Sequence, residues 1–191
     1  MLPAFAAFAF LAAVSTMSAA QTPGASTPAP APPPLFATTK IADNVYVFRY
    51  GGYQSMFVVT PEGVIATDPI AYLRPQAAQA YIDEIRKITR APIKYLIYSH
   101  HHYDHIAGGK PFKDAGALVV AHKNARAKLE ALKYPDVVLP DMVVDQHSTL
   151  ELGGTRVDLI YVGRNHSDNS LVMLLPKEKF CSPSISFPFK P

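Results

Sequence analysis

The sequence predicts one mixed α/β domain, because segments with strand periodicity and segments with helix periodicity alternate along it. The chain has 191 residues, of which 49% are hydrophobic and 17% are charged. This length and composition suit a single globular domain with a buried core, and they exclude a disordered or fibrous chain. No internal repeat is apparent in the sequence.

The N-terminal 35 residues are expected to lie outside that domain. Residues 1–20 are apolar and uncharged and end in Ser18-Ala19-Ala20, which is typical of a secretory signal peptide cleaved before Gln21. An uncleaved leader or a membrane anchor is the alternative, although the apolar run is short for a membrane span. Residues 21–35 are rich in proline and predict a stiff linker. We therefore expect an exported protein, in a bacterial periplasm, with no stable membrane span after signal cleavage.

The first half of the domain, which we place at residues 36–179, predicts a meander and then a helix. Three strand-like runs separated by turn residues predict an antiparallel meander: Val45–Phe48, Met56–Val59 and Val64–Ala66. Residues 75–89 change to a helical period, with apolar side chains on one face and charged side chains on the other. A short apolar run, Ile93–Tyr98, has strand length and leads directly into a cluster of histidines.

The second half predicts a strand, a helix and three further strands. Ala117–Ala121 has the character of a buried strand, and Lys123–Leu132 that of a helix. Gly153-Gly154 separates two alternating runs and therefore predicts a hairpin with a two-residue turn. The last predicted strand is Ser170–Leu175, which ends before Pro176.

Residues 100–105 carry the strongest chemical signal in the sequence. The spacing His-x-His-x-Asp-His fits one register, which consists of His100, His102, Asp104 and His105. Residues two apart in an extended segment point the same way, so His100 and His102 can reach one metal ion, and the next two ligands a neighbouring position. Imidazole and carboxylate ligands suit zinc and leave room for a water molecule. A surface chelating patch or a set of core histidines is the alternative interpretation.

The run Ser99–Gly109 resembles the metal motif of the metallo-β-lactamase superfamily. The similarity extends over roughly residues 40–179, and it includes the opening meander and Thr67-Asp68-Pro69 after the third strand. Residues 163–169 are similar to the second metal segment of the family. The resemblance implies a four-layer αββα sandwich with the metals at one edge of the β-layers.

The same resemblance implies the ligand set. His100, His102 and His166 would hold a first zinc, and Asp104 and His105 would contribute to a second. Asp104 is the implied catalytic residue, because it would also orient the attacking hydroxide. Asp68 is expected either to orient a metal histidine or to serve as a turn residue.

The sequence does not determine the roles of four residues beside these ligands. His101 and Tyr103 occupy the variable positions of the motif, and Tyr103 either faces a substrate or packs. Asn169 and Ser170 either contact a substrate or cap the last strand, and capping is favoured.

Charge and cysteine content exclude some partners and bonds. The net charge of +3 is modest, so a solvated face is favoured over a nucleic-acid site for the basic positions of the second helix, which are Lys123, Arg126 and Lys128. Cys181 is the only cysteine, so no intrachain disulfide can form. His122 and His147 have no partner pattern and are expected to be structural.

The resemblance ends near Lys179. The family pattern continues with a strand that carries a metal-bridging Asp, then helices and a final His ligand, and the printed sequence shows neither ligand. Residues 180–191 include three prolines, a composition that central strands reject. We expect a domain whose second half is largely missing, a second metal site that is weak or empty, and an aberrant tail from Phe180. Codons for residues 180–187, read two bases later, can encode Leu-Leu-Ala-Val-Asp-Phe-Ile, so a frameshift is one hypothesis.

The first functional interpretation is a zinc-dependent hydrolase of small molecules. Metal-bound hydroxide would attack the carbonyl carbon of a β-lactam, lactone, ester or thioester, because an open zinc site lowers the pKa of bound water to about 7. The alternative is a truncated, non-catalytic zinc-binding product of a frameshifted hydrolase gene. A third interpretation, an exported binding module that uses the basic helix, rests on the charge pattern alone. The sequence does not determine the oligomeric state.

Overall fold

The computed structural model describes residues 34–182, whose strands form two sheets. The first sheet has seven strands in the spatial order of the chain: β1 (Phe36–Lys40), β2 (Val45–Tyr50), β3 (Tyr53–Thr60), β4 (Gly63–Thr67), β5 (Ile93–Ile97), β6 (Leu118–His122) and β7 (Met142–Val144). The second sheet has the spatial order β11-β10-β9-β8, and its strands are β8 (His147–Leu152), β9 (Thr155–Tyr161), β10 (Leu171–Leu175) and β11 (Phe180–Ser182).

Four helices of the described residues lie against the first sheet. They are α1 (Ala77–Ile88), α2 (Tyr103–Ile106), α3 (Lys110–Asp114) and α4 (Lys123–Leu132). The buried side chains of all four helices belong to one apolar core together with the first sheet. Tyr81 and Phe112 are among its largest members, and both are fully buried. None of the helices in residues 34–182 is long and apolar enough to cross a membrane.

The first sheet changes from antiparallel to parallel pairing at β4. The four strands from β1 to β4 are joined in succession by short turns, and each is antiparallel to the next. The segment that contains α1 then connects β4 to β5, which are parallel neighbours. The pairs β5–β6 and β6–β7 are also parallel, because parallel strands need a crossover segment and helices supply it. β5 is thus a central strand with a parallel partner on each side, which makes its C-terminal end a firmly held position.

A second apolar core lies between the two sheets. Val58 and Ile65 come from the first sheet, and Leu159 and Met173 come from the second. The alternation of inward and outward side chains along β9 and β10 follows from the two-residue period of a strand. The described residues therefore form three layers, helices, sheet and sheet, of the expected four-layer sandwich.

The structure confirms the predicted order of the main elements. The meander, the helix after Pro75, the strand before the histidines, the helix Lys123–Leu132 and the Gly153-Gly154 hairpin are all present. Both glycines have positive φ, 53° and 76°, as a hairpin turn of this length requires. Five elements were not predicted, namely β1, β7, β11 and the helices α2 and α3, because each has five residues or fewer and shows little periodicity.

The tail that was expected to be aberrant from Phe180 begins with three residues that join the second sheet. Phe180–Ser182 forms β11, which pairs with β10 in an antiparallel register. The three residues precede the first proline of the tail, and Phe180 packs against the second core. The predicted signal peptide, the linker up to Pro33 and the rest of the tail, residues 183–191, lie outside the described residues.

Candidate metal centre

The candidate ligands lie at the ends of strands that belong to different sheets. His100 and His102 follow β5, and Tyr103 then starts α2. His166 lies in the loop between β9 and β10. At this end of the sandwich the backbone N–H of Leu171 donates to the Ser99 carbonyl at 2.8 Å, which joins the start of β10 to the histidine segment.

Three of the five predicted metal ligands converge. Ring nitrogens of His100, His102 and His166 all lie within 4.8 Å of one another. Their ring centroids are separated by 4.6 to 5.1 Å. His100 is buried, His102 is half-buried and His166 is exposed, so the cluster opens to solvent on one side. Within residues 34–182 no other group of three His, Cys, Asp or Glu side chains meets this criterion.

The hydrogen bonds of His100 leave one ring nitrogen bare. The Ser99 hydroxyl donates to Asp68 Oδ2 at 2.5 Å, so it accepts from His100 Nδ1, which lies 2.9 Å away. With its proton on Nδ1, the ring presents a lone pair on Nε2. That atom is buried and has no hydrogen-bond partner among the described residues. Burial also lowers the pKa of His100 to about 3, which keeps the imidazole neutral, as a metal ligand must be.

Asp68 connects the two parts of the motif. Its carboxylate accepts from the Ser99 N–H at 2.8 Å as well as from the hydroxyl, and His105 Nδ1 lies 3.2 Å from Oδ2. Burial alone would raise the pKa of Asp68, but the hydrogen bond and charge of His105, aided by His100 and Ser99, hold it below its usual value. Asp68 therefore contacts the ligand histidines directly or through Ser99, as carboxylates commonly do beside metal sites. Sequence reasoning gave Ser99 no role.

Asp104 and His105 lie beside the cluster of three histidines and not in it. His105 Nε2 is 3.9 Å from Asp104 Oδ2, and the His105 ring centroid is 4.5 Å from that of His100. Burial opposes protonation of His105, but the bond and charge of Asp68 outweigh it and raise the His105 pKa. With Nδ1 held by Asp68, Nε2 is the nitrogen that faces Asp104. Asp104 and His105 are thus two adjacent potential metal ligands. Within residues 34–182 no third His, Cys, Asp or Glu side chain forms a ligand group with them.

The backbone that presents Asp68 is in an unfavourable conformation. Asp68, Ile70 and Leu73 all have positive φ, at 31°, 51° and 55°, a region that costs about 1–2 kcal/mol for a residue with a Cβ. Ile70 is fully buried and β-branched, which makes its left-handed conformation rarer still. The Ile70 N–H donates to the His105 carbonyl at 2.9 Å, and the Ala71 N–H to the Ala107 carbonyl at 3.0 Å. The segment is thus tied to α2 where the ligands are.

The remaining sequence candidates have packing or bridging roles. The Tyr103 hydroxyl donates to Asp136 at 3.2 Å, and its ring packs on Tyr134 with centroids 4.5 Å apart. His122 is structural as predicted, since its Nδ1 accepts from the N–H of Asn124 at the start of α4. His147 is exposed on β8 and lies 3.3 Å from Asp158.

Asn169 and Ser170 are fully buried in the loop after His166. Asn169 bonds to His101 through both its side-chain oxygen and its side-chain nitrogen. The Ser170 hydroxyl lies 2.8 Å from that of Ser167. The side chain of Asn169 therefore bridges two segments 68 positions apart, which differs from the favoured interpretation that it caps the last strand. No signal in a single sequence could have shown this contact.

The donor set fits a zinc ion. Three imidazoles with converging nitrogens match the nitrogen ligands that zinc takes in catalytic sites with an open position. The bare, buried Nε2 of His100 is a group that a protein rarely leaves without a partner, and a metal ion would supply one. His100, His102 and His166 would hold such an ion.

Two curated proteins are similar in sequence to this chain. The alpha subunit of 2,4-dinitroanisole O-demethylase from Nocardioides sp. (strain JS1661) is 27% identical over 150 residues, which are 77% of this chain and 45% of that protein. Metallo-beta-lactamase type 2 of Elizabethkingia meningoseptica is 24% identical over 148 residues, which are 73% of this chain and 57% of that protein. The chain therefore spans about half the length of these curated relatives.

Solved structures show the same fold. A metallo-beta-lactamase from Pontibacter korlensis has a TM-score of 0.65 with 21% identity, over 74% of this chain and 67% of that chain. The sequence profile described as the metallo-beta-lactamase superfamily matches residues 55–182, which is more than half of the chain and includes every candidate ligand. The chain belongs to the metallo-beta-lactamase superfamily.

Proposed function

We propose that the chain is a zinc-dependent hydrolase of small carbonyl compounds. The observation that carries the proposal is the convergence of His100, His102 and His166, with the Nε2 of His100 buried and without a hydrogen-bond partner in the part of the chain that the structure describes. A core histidine would have its second nitrogen paired, and a surface chelating patch would not hold one ring at 1% exposure. Membership of the superfamily supports the same chemistry.

The side chains around the three histidines would have distinct roles in catalysis. A zinc ion held by the three histidines would lower the pKa of a bound water to about 7 and polarise the substrate carbonyl. Asp104, whose side chain is 36% exposed beside the cluster, is the carboxylate available to orient the attacking water and accept its proton. Asp68 fixes the tautomer and orientation of His105 directly and those of His100 through Ser99.

A second metal would rest on fewer ligands. Asp104 and His105 are its candidate holders, and residues 34–182 do not add a third His, Cys, Asp or Glu to them. Because affinity grows with the number of ligands, we expect one tightly bound zinc per chain and weak occupation of the second position.

The substrate class is proposed from chemistry and from relatives. An amide, ester, lactone or thioester carbonyl is the group that such a site activates, and the Elizabethkingia relative is named as a β-lactamase. The name of the Nocardioides relative instead specifies 2,4-dinitroanisole, so that ether belongs in a substrate panel. We also propose export to the periplasm, on the N-terminal pattern, which recovery of the full-length chain in a periplasmic extract would test.

Turnover by the zinc-loaded full chain tests the proposal. The panel comprises a chromogenic cephalosporin, a lactone, a thioester, an aryl ester and 2,4-dinitroanisole, and the control is His102→Ala, which removes one ligand. Hydrolysis of one carbonyl substrate that disappears in the variant supports the proposal. One zinc per chain with no turnover of any substrate favours the non-catalytic zinc-binding alternative, and absence of both zinc binding and turnover overturns both.

A further inference from the structure

The spacing of the three converging histidines depends on contacts between two distant segments. His100 and His102 lie on the segment after β5, whereas His166 is exposed in the β9–β10 loop. An exposed side chain on a loop is not fixed by packing, so the loop itself must be held at the right distance for a metal to find its third ligand.

Asn169 forms that connection. Its Oδ1 accepts from the backbone N–H of His101 at 2.9 Å, and its Nδ2 lies 2.9 Å from His101 Nδ1 and 2.7 Å from Asp168 Oδ1. The amide therefore uses its oxygen and both of its N–H donors, and the residue is fully buried. His101 lies between the two ligands of its segment, so holding its backbone and its ring holds both neighbours.

The other end of the connection is anchored on α4. The Asp168 carbonyl accepts from Asn124 Nδ2 at 3.0 Å, and Lys128 Nζ lies 3.3 Å from Asp168 Oδ2. Inside the loop the Asn169 N–H donates to Ser167 Oγ at 3.2 Å. A helix of ten residues thus supports the His166 loop, and the basic side chain that suggested a solvated face is part of that support.

We propose that Asn169 is a positioning residue of the metal centre, which sets the separation between His166 and the His100–His102 pair through His101. The inference rests on the proposed function only in that the three histidines bind a metal. Asn169 does not touch the substrate or the metal in this assignment. It forms hydrogen bonds to the segment that carries the ligands His100 and His102. Loss of such a supporting contact commonly lowers metal affinity by about 10- to 100-fold.

Zinc affinity of the full chain tests the proposal. Competition against a chromophoric chelator should show binding about 10- to 100-fold weaker in Asn169→Ala than in the wild type. The matched control is Asn165→Ala, in the same loop, whose side chain donates only to the Gly163 carbonyl at 3.0 Å and is exposed. Its affinity should stay within about twofold of the wild type, as for most surface substitutions.

Two further measurements keep the test independent of folding and of activity. Asn169→Asp preserves side-chain volume and the acceptor for the His101 N–H but sets a buried carboxylate against that of Asp168, so its zinc affinity should fall at least as far as that of the alanine variant. The visible spectrum of the cobalt-substituted protein should change in Asn169→Ala and not in Asn165→Ala, because it reports ligand geometry.

Hydrogen exchange of the His101 amide completes the test without any metal. The amide should be protected in the wild type and exchange faster in Asn169→Ala, with other β5 amides unchanged. Equal zinc affinity in the wild type and Asn169→Ala would overturn the positioning role while leaving the hydrolase intact. Zinc binding with the expected loss but no turnover would instead refute the hydrolase and leave the positioning role standing. An unprotected His101 amide in the wild type would overturn the connection itself.

Discussion

Replacement of His100 by leucine should stabilise the metal-free protein and abolish its response to zinc. In the metal-free protein the buried Nε2 has no hydrogen-bond partner within residues 34–182, and an unsatisfied buried polar group costs about 1–3 kcal/mol. Leucine removes that cost and also the bond from Nδ1 to Ser99, which is worth about 0.5–1.5 kcal/mol. The difference is a gain of about 1 kcal/mol, or about 2–4 °C in Tm for a domain of this size.

Zinc should reverse the order of the two proteins. At free zinc 100 times its Kd the wild type gains about 2.7 kcal/mol of unfolding free energy, which corresponds to about 5–11 °C. The leucine variant lacks the ligand and should gain far less. Thermal unfolding at about pH 8, above the ordinary histidine pKa of about 6.5, with chelator and then with zinc, measures both differences.

The reversal of the two Tm values between chelator and zinc would show that His100 binds the metal and does not stabilise the metal-free fold. His147→Leu is the matched control, since it makes the same change on exposed β8 and should leave the zinc response at its wild-type size. A leucine variant at position 100 that melts below the wild type in chelator, or that keeps the full zinc shift, would refute the reasoning about the bare nitrogen.

Three other substitutions follow from the geometry of the site and its surroundings. Asp68→Asn should weaken zinc binding by about 10- to 100-fold and lower the free energy of unfolding by about 2 kcal/mol, because an amide cannot accept from all three of its donors; chelator competition and urea unfolding measure the two effects. Gly108→Ala should destabilise by about 2–5 kcal/mol in urea, since a Cβ there would overlap that of Ala71 at a φ of +90°. Lys133→Gly should stabilise by about 1 kcal/mol in urea, because this residue ends α4 with a φ of 49°.

Controls separate the stated causes in each case. Gly116→Ala has a comparable φ of +96° but open space around the added Cβ, so it should cost only about 1–2 kcal/mol. Equal losses at positions 108 and 116 would argue against the overlap. Lys133→Ala retains a Cβ and should give no gain, and a gain equal to that of glycine would contradict the left-handed cap. Unchanged zinc affinity in Asp68→Asn would remove Asp68 from the metal centre.

The histidine spacing could be predicted from sequence because it is local. His100 and His102 follow a strand whose apolar run is visible in Ile93–Tyr98, and ring nitrogens of both converge as the spacing predicts. The helix Lys123–Leu132 was equally visible because ten residues span enough turns to show a period. His166 entered through the likeness of its segment to the family, and its geometry agrees with that assignment.

The contacts that arrange these ligands were not predictable, because they join residues far apart in sequence. The bond of Ser99 to Asp68 spans 31 positions, and the bridge from Asn169 to His101 spans 68. Neither serine nor asparagine carries a spacing rule that would mark it as a partner. The left-handed backbone of Ile70 was also hidden, since a β-branched residue is the least expected one there.

The division of the ligands between two sheets has a consequence for the order of folding. A chain in which only the first sheet has formed already holds His100 and His102, and it can offer a metal two of the three imidazoles of the cluster. The third nitrogen arrives when the β9–β10 loop reaches this edge, which requires the apolar faces of both sheets to have met. Tight zinc binding therefore indicates that the two sheets have packed together. A zinc ion bound at that stage would link the two sheets through its histidine ligands.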